Sequence, residues 1–306
     1  MNNYKRAGGS ASILALLITG VIITVGIGFN WLVKEHLKAA EGMKRKTEAM
    51  LTAVSTYNTL VYSILAGVTA PDQVVFMNGG NLLGVKSIPL NNEGVSVGAD
   101  IEIKIQDSNG MISLAGPDLL ALQRLLRNAN PDQDQSATII DSYLDWISRG
   151  NMVHINGAKE AYYRAQGKPY TARNYPMQYK EEFAFVRGMD QELYKKISPF
   201  VTLLPNSGFN PNTAPDPVLA AFLGIDEEAV QNLKAYMKTA PLTSNSTLFN
   251  IVRRTIAGEG FDFNPSRFWD ITINVGKPEP VYSLRAGIDI RWNETYPYSV
   301  IYWGKD

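Results

Sequence analysis

Few residues in this chain are suited to proton transfer or nucleophilic attack. His36 and His154 are its only histidines, and it has no cysteine, so neither a histidine-centred site nor thiol or disulfide chemistry is expected. No nucleophile, base and orienting acid stand in a recognisable order, and we read the chain as not an enzyme. Oxygen donors are better represented: Asp132 and Asp134 lie in one oxygen-rich loop, while Asp141 and Asp145, four apart, share a helix face. Such acids either cap helices or offer hard oxygens to a cation. Lys+Arg and Asp+Glu both number 29, a formal net charge of +0, which argues against a polyanionic partner.

The elements that must position these groups begin with an apolar run. From Ser10 to Val33 the chain carries no charge, about the 20 residues a helix needs to cross a bilayer. A cleaved secretory signal would be shorter, and Lys38-Ala39-Ala40 puts a charge where its cut would need a small side chain. Two readings stay open: an uncleaved anchor, held with its N-terminus inside by Lys5 and Arg6, or a leader cut on the near side of the helix so that the span is retained. The helix continues to roughly Gly67, because Leu37, Ala40, Met43, Met50, Val54, Tyr57, Val61 and Ile64 recur at helical spacings, with Lys38, Glu41, Lys44, Arg45 and Glu48 opposite.

Strand signals follow. Val74–Met77, Val85–Ile88 and Val95–Val97 are short and turn-bounded, Ile101–Gln106 alternates strictly, and Asp107-Ser108-Asn109-Gly110 is a turn leading to Met111–Leu114. From Pro117 to Gly258 the pattern is helical. It contains a weak repeat, Val186–Tyr194 over Phe222–Val230, in which a Gly ends one helix and Asp190 or Asp226 caps the next. Those acids would repel phosphate, so no nucleic acid is expected there. Thr213 and Asp216 have the spacing of a capping box. Phe268–Val275, Val281–Trp292 and Tyr298–Trp303 return to strand. Strands on both sides of a helical block imply one sheet domain with an insertion, the final strands pairing near Ile101. The expected boundaries are 1–9, 10–33 (membrane helix), 34–114 (sheet domain, first part), 115–260 (inserted helices) and 261–306 (sheet domain, second part).

The start of the chain, basic residues up to Ala7-Gly8-Gly9 and then an apolar helix, resembles a type IV prepilin leader with a cut between Gly9 and Ser10, or after Gly8. That class carries Glu at the fifth mature position, where this chain has Leu14 (Ile13 in the other register). The Asp107–Gly110 turn, Asp145-Trp146-Ile147, Gly157-Ala158-Lys159 followed by Tyr162-Tyr163, Pro169-Tyr170 with Arg173-Asn174 and Pro176, and Asn210-Pro211-Asn212-Thr213-Ala214-Pro215 occur in one order. Together they resemble the general secretion pathway protein K family, the type II secretion minor pseudopilins that lack that Glu.

The resemblance implies an α+β, pilin-like fold: a long N-terminal helix on an antiparallel sheet, with a large all-α insertion of two SAM-like or helix-hairpin-helix units. It implies cleavage and N-methylation by prepilin peptidase, a single-pass inner-membrane anchor with the bulk of the chain in the periplasm, and assembly with minor pseudopilins I and J. The subunit would cap the pseudopilus tip, with partners below it and none above. The resemblance also implies calcium in the insertion, with Asp132, Asp134, Asp141 and Asp145 as candidates, although Ser148-Arg149-Gly150-Asn151 replaces the family's acids and Lys159 its Glu. Outside that family the alternatives are a minor pilin of a type IV pilus, for adhesion or uptake, and a membrane-anchored periplasmic binding protein or enzyme.

Overall fold

Helix α1 runs from Gly8 to Leu65 without a break, a proline-free stretch in which Leu and Ala are frequent. Our computed structural model describes residues 8–77, 83–130, 132–253, 260–291 and 295–305. The basic residues before Gly8, the expected turns at Asn78-Gly79-Gly80 and Asn293, and Gly258 lie outside the described residues. The chain divides into two units, Met1–Thr52 and Ala53–Asp306.

In the first unit the large apolar side chains of α1 from Ile13 to Leu51 are exposed, while Ala49 is buried. Thr19 and Thr24 donate their hydroxyls to Ala15 O and Gly20 O, both at 2.8 Å, so neither is a free donor within the apolar run. Beyond Val33 the surface turns polar, with ion pairs Glu35–Lys38 and Lys44–Glu48 one turn apart.

The second unit opens with the last turns of α1. Ala53, Tyr57, Leu60, Val61 and Ile64 are buried, spaced as one helix face. Gly67 ends the helix where a Cβ would sit 2.9 Å from Val75 O. Strands β1 (Val68–Thr69), β2 (Gln73–Val75) and β3 (Ser87–Pro89) form a small sheet of their own. Strands β4 (Val95–Val97) and β5 (Ile101–Asp107) belong to the main sheet. After β5 the chain leaves that sheet through a 3-10 turn at Ser108–Gly110. It forms β6 (Ile112–Ser113), α2 (Leu119–Ala129), α3 (Gln133–Ile147), α4 (Glu160–Ala165), α5 (Gln191–Ile197), β7 (Val201–Thr202), α6 (Asp216–Leu223), α7 (Glu227–Met237) and α8 (Asn245–Val252). It then re-enters the main sheet as β8 (Phe268–Val275), β9 (Tyr282–Ile290) and β10 (Tyr298–Lys305).

The main sheet has the order β10-β9-β8-β5-β4, antiparallel throughout. β5 and β8 are direct neighbours, in register from Ile101↔Val275 to Asp107↔Trp269, so the helical block is an insertion between two paired strands. On the buried face stand Ile103, Ile105, Trp269, Ile271, Ile273, Leu284, Ala286 and Ile288. The Tyr57 ring of α1 meets Trp303 of β10 edge-on, centroids 4.8 Å apart. The other face is polar: Arg285 Nε donates to Asp270 Oδ1 at 3.0 Å, and Asn274 Nδ2 to Glu102 Oε2 at 3.0 Å. Alternation of this kind is what a half-solvated antiparallel sheet requires.

The inserted block has its own core, in which Leu122, Leu126, Ile139, Tyr143, Trp146, Phe183, Val218, Leu233 and Leu248 are buried. Three details differ from the sequence expectation. Ile112–Ser113, expected with the first sheet segment, pairs in parallel with β7 inside the block, because β7 is a strand of two residues too short to leave a periodic signal. Pro117 precedes the N-cap Asp118 of α2 instead of opening the helix. The capping box of Thr213 and Asp216 does not form: α6 starts at Asp216 with Pro215 at its N-cap, and the Thr213 hydroxyl donates to Asp107 Oδ2 instead. The repeat is present in geometry. Gly188 and Gly224 have φ of 88° and 61°, and Asp190 and Asp226 accept Leu193 N and Ala229 N at 2.8 and 3.0 Å.

Candidate functional site: an exposed apolar helix and two buried polar joints

The apolar run of α1 is long and apolar enough to cross a membrane, and none of its most apolar stretch is buried. Leu14 is 60% exposed, and the expected stripe residues Leu37, Met43 and Met50 are exposed as well. Of the predicted stripe, Tyr57, Val61 and Ile64 are buried. A surface of this kind is costly in water and is stable only against lipid or other subunits.

The first polar joint closes the insertion onto the sheet. Asp107, fully buried at the end of β5, accepts Ser266 N at 2.8 Å and Asn109 N at 3.2 Å through Oδ1, and the Thr213 hydroxyl at 2.9 Å through Oδ2. Burial pushes its carboxyl above the usual carboxylate range, against the pull of these donors. Asn109 accepts Ser207 N at 2.9 Å, and its main-chain carbonyl accepts Asn210 N at 2.9 Å. Asn210 Nδ2 reaches Pro71 O at 2.8 Å, while Asn212 accepts Leu242 N at 2.7 Å and donates to Leu242 O at 2.9 Å. Gly110 is required here, since a Cβ would sit 2.5 Å from Thr213 O. The Asp107–Gly110 turn and the Asn210–Pro215 segment, two motifs about 100 residues apart in sequence, are therefore one interlocked unit.

The second joint gathers the motifs of the insertion around the carboxyl end of α3. Arg173 clamps Glu182 with bonds of 2.5 and 2.7 Å. Glu182 also accepts Gln178 N at 2.9 Å, Tyr179 N at 3.1 Å and Trp146 Nε1 at 3.2 Å. Burial raises the Glu182 carboxyl, but Arg173 and these donors outweigh it and hold it below the usual range. Beside this clamp, Asn174, with φ of 55°, donates its N–H to Trp146 O at 2.8 Å. Asp145 accepts the His154 main-chain N–H at 3.2 Å, with His154 Nδ1 2.7 Å from its Oδ1. The Lys159 ammonium contacts Asp145 O, Ser148 O, Ser148 Oγ and Asn174 Oδ1 at 2.8 to 3.2 Å.

The four candidate aspartates are not brought to one point. Asp132 caps α3, accepting Asp134 N at 3.0 Å and Gln135 N at 3.1 Å, and Asp134 stands in the first turn. Asp141 accepts Asn156 N at 3.0 Å. Asp145 is engaged by His154 as above. Among the described residues no three acids or histidines cluster as metal ligands do. Glu182, the most heavily bonded acid of the second joint, was missed from the sequence; its partners lie up to 36 positions away, and no local pattern marks it.

A family model described as "Type II secretion system (T2SS), protein K" matches residues 106–206, the stretch holding the Asp107 turn, the Asp145 and Lys159 cluster and the Arg173–Glu182 clamp. Type II secretion system protein K of Aeromonas hydrophila is 23% identical over 259 residues, 79% of this chain and 78% of that protein. Its counterpart in Pectobacterium carotovorum subsp. carotovorum is 30% identical over 121 residues, 38% of this chain and 37% of that protein. Among solved structures, a chain from the crystal structure of the GspK-GspI-GspJ complex of the enterotoxigenic Escherichia coli type 2 secretion system aligns with a TM-score of 0.54. It has 16% identity, with 90% of this chain and 99% of that chain covered, a likeness of fold. Helix, sheet, insertion and the ordered motifs agree with these matches: residues 106–206 match the type II secretion system protein K family, and the chain is similar over most of its length to a member of it.

Proposed function

We propose that this subunit caps the pseudopilus tip. Its leader is cut between Gly9 and Ser10, its first 24 or so mature residues anchor it in the inner membrane, and its bulk lies in the periplasm until assembly. It then joins the pseudopilins I and J, the partners named with its solved structural relative, and primes the filament. The family match favours this over the type IV pilus reading.

The observation that carries the proposal is Leu14, an apolar, exposed side chain where the pilin class places Glu. A carboxylate inside a bilayer costs several kcal/mol unless paired, and in that class it pairs with a neighbour's N-terminal amine. With Leu14 there is no such charge to satisfy, and the exposed stripe of Leu37, Met43 and Met50 still offers apolar surface to subunits lying beneath. Mass spectrometry of the mature chain should find an N-methylated Ser10, and pull-downs from membranes should recover pseudopilins I and J. An intact Met1 would sink the proposal. A Leu14→Glu chain should insert with lower yield while an unpaired carboxylate remains; equal yield and unchanged assembly would show that Leu14 is not the determinant.

A further inference from the structure

We propose that the Lys159 ammonium is a tethered cation filling an oxygen cage at the carboxyl end of α3, so that this insertion needs no calcium. The cage consists of Ser148 O at 2.8 Å, Asn174 Oδ1 at 2.9 Å, Asp145 O at 3.0 Å and Ser148 Oγ at 3.2 Å. Three N–H groups thus serve four acceptors. Asp145 O is one of the last carbonyls of a helix, which have no amide donor of their own and form the negative end of its dipole. The neighbouring carbonyls are already served, Leu144 O by Ser148 N and Trp146 O by Asn174 N. Lys159 serves Asp145 O, which Ser148 Oγ otherwise reaches only at 3.5 Å.

Charge decides what belongs in the cage. All four oxygens are neutral, which suits a monovalent ammonium, whereas calcium is bound by sets that include carboxylates. The Asp145 carboxylate is taken up by His154. Lys159 is only 8% exposed, a position a lysine tolerates when each of its protons is accepted. Joined to the chain, this cation cannot be lost to dilution or to a chelator, so the motif residues around it stay in place whatever the ambient calcium.

Two measurements on the full chain in detergent test this. Reductive methylation of the native protein, read by peptide mass spectrometry, should leave Lys159 unmodified while the exposed Lys168 reacts. Labelling of the two at similar rates would overturn the proposal. Thermal unfolding in excess calcium and in excess chelator should give the same Tm. A Lys159→Glu chain, which puts a carboxylate beneath the same oxygens, should gain about 5–10 °C when calcium is present at about 100 times its Kd, or fold only with calcium. A fall in the wild-type Tm on chelation, or a folded Lys159→Glu chain indifferent to calcium, would also overturn it. If Lys159→Glu folds in neither condition, the labelling and the wild-type comparison decide.

Discussion

At the scale of single residues, Asp107 and Glu182, two of the buried carboxylates of the joints, behave in opposite ways because their partners differ. Glu182 faces a guanidinium and three N–H donors, which hold its carboxyl below the usual value of 4.5. A depressed acid stabilises the fold above its unfolded value and loses that contribution as pH falls through the folded one. Stability from the Arg173–Glu182 clamp should therefore be complete above about pH 4.5 and drain away below it. Glu182→Gln should cost about 2 kcal/mol at pH 7 and flatten the acid limb of a Tm-against-pH curve; an unchanged limb would place the clamp's worth elsewhere. Asp107 has the reverse sign. Its carboxyl is raised by burial, so the cost of its charge falls as pH drops. Removing its acceptors altogether is worse than keeping the charge: Asp107→Ala leaves the Asn109 and Ser266 amides unserved and the Thr213 hydroxyl with only a 3.4 Å contact to Asn210 O, and should lose about 3 kcal/mol in urea unfolding.

At the scale of elements, α1 and the turn after β5 carry the argument. The turn admits glycine alone at Gly110, where a Cβ would meet the Thr213 backbone, O at 2.5 Å and C at 2.6 Å, as well as its Oγ1 at 2.7 Å. Gly110→Ala should therefore destabilise by about 2–3 kcal/mol through forced displacement of the Asn210–Pro215 segment, and Thr213→Ala should not rescue it, a pair of Tm measurements that separates main-chain from side-chain obstruction. In α1 the threonines of the apolar run donate to the carbonyls four residues earlier, Thr19 to Ala15 O and Thr24 to Gly20 O. Thr19→Val and Thr24→Val should leave membrane insertion unchanged, which a carbonate-extraction assay would check, because a hydroxyl bonded within its own helix costs little in lipid.

At the scale of the whole chain, the sheet unit and the insertion are separate cores joined through Asp107, Asn109, Asn210 and Thr213. Urea unfolding followed by tryptophan fluorescence, with Trp269 in the sheet and Trp146 in the insertion, should give coincident transitions for the intact chain and separated ones for Asp107→Ala, since the joint is what couples them. Much of this plan was legible beforehand. The alternation of Ile101–Gln106 and of Phe268–Val275 identified two half-buried strands, and strands on both sides of a helical block implied that they pair. The uncharged run from Ser10 to Val33 marked a helix long and apolar enough to cross a membrane. These signals are local periodicities, which a chain writes out in order. Which neighbours meet across intervening chain, whether 9 positions apart or 106, has no such period. That Thr213 serves Asp107 and not α6, that β6 crosses to β7, that Glu182 is held by Arg173, and that an ammonium closes the end of α3 were decided by tertiary packing. Buried polar groups must find donors or acceptors wherever the fold brings them, and only the folded chain determines which ones are within reach.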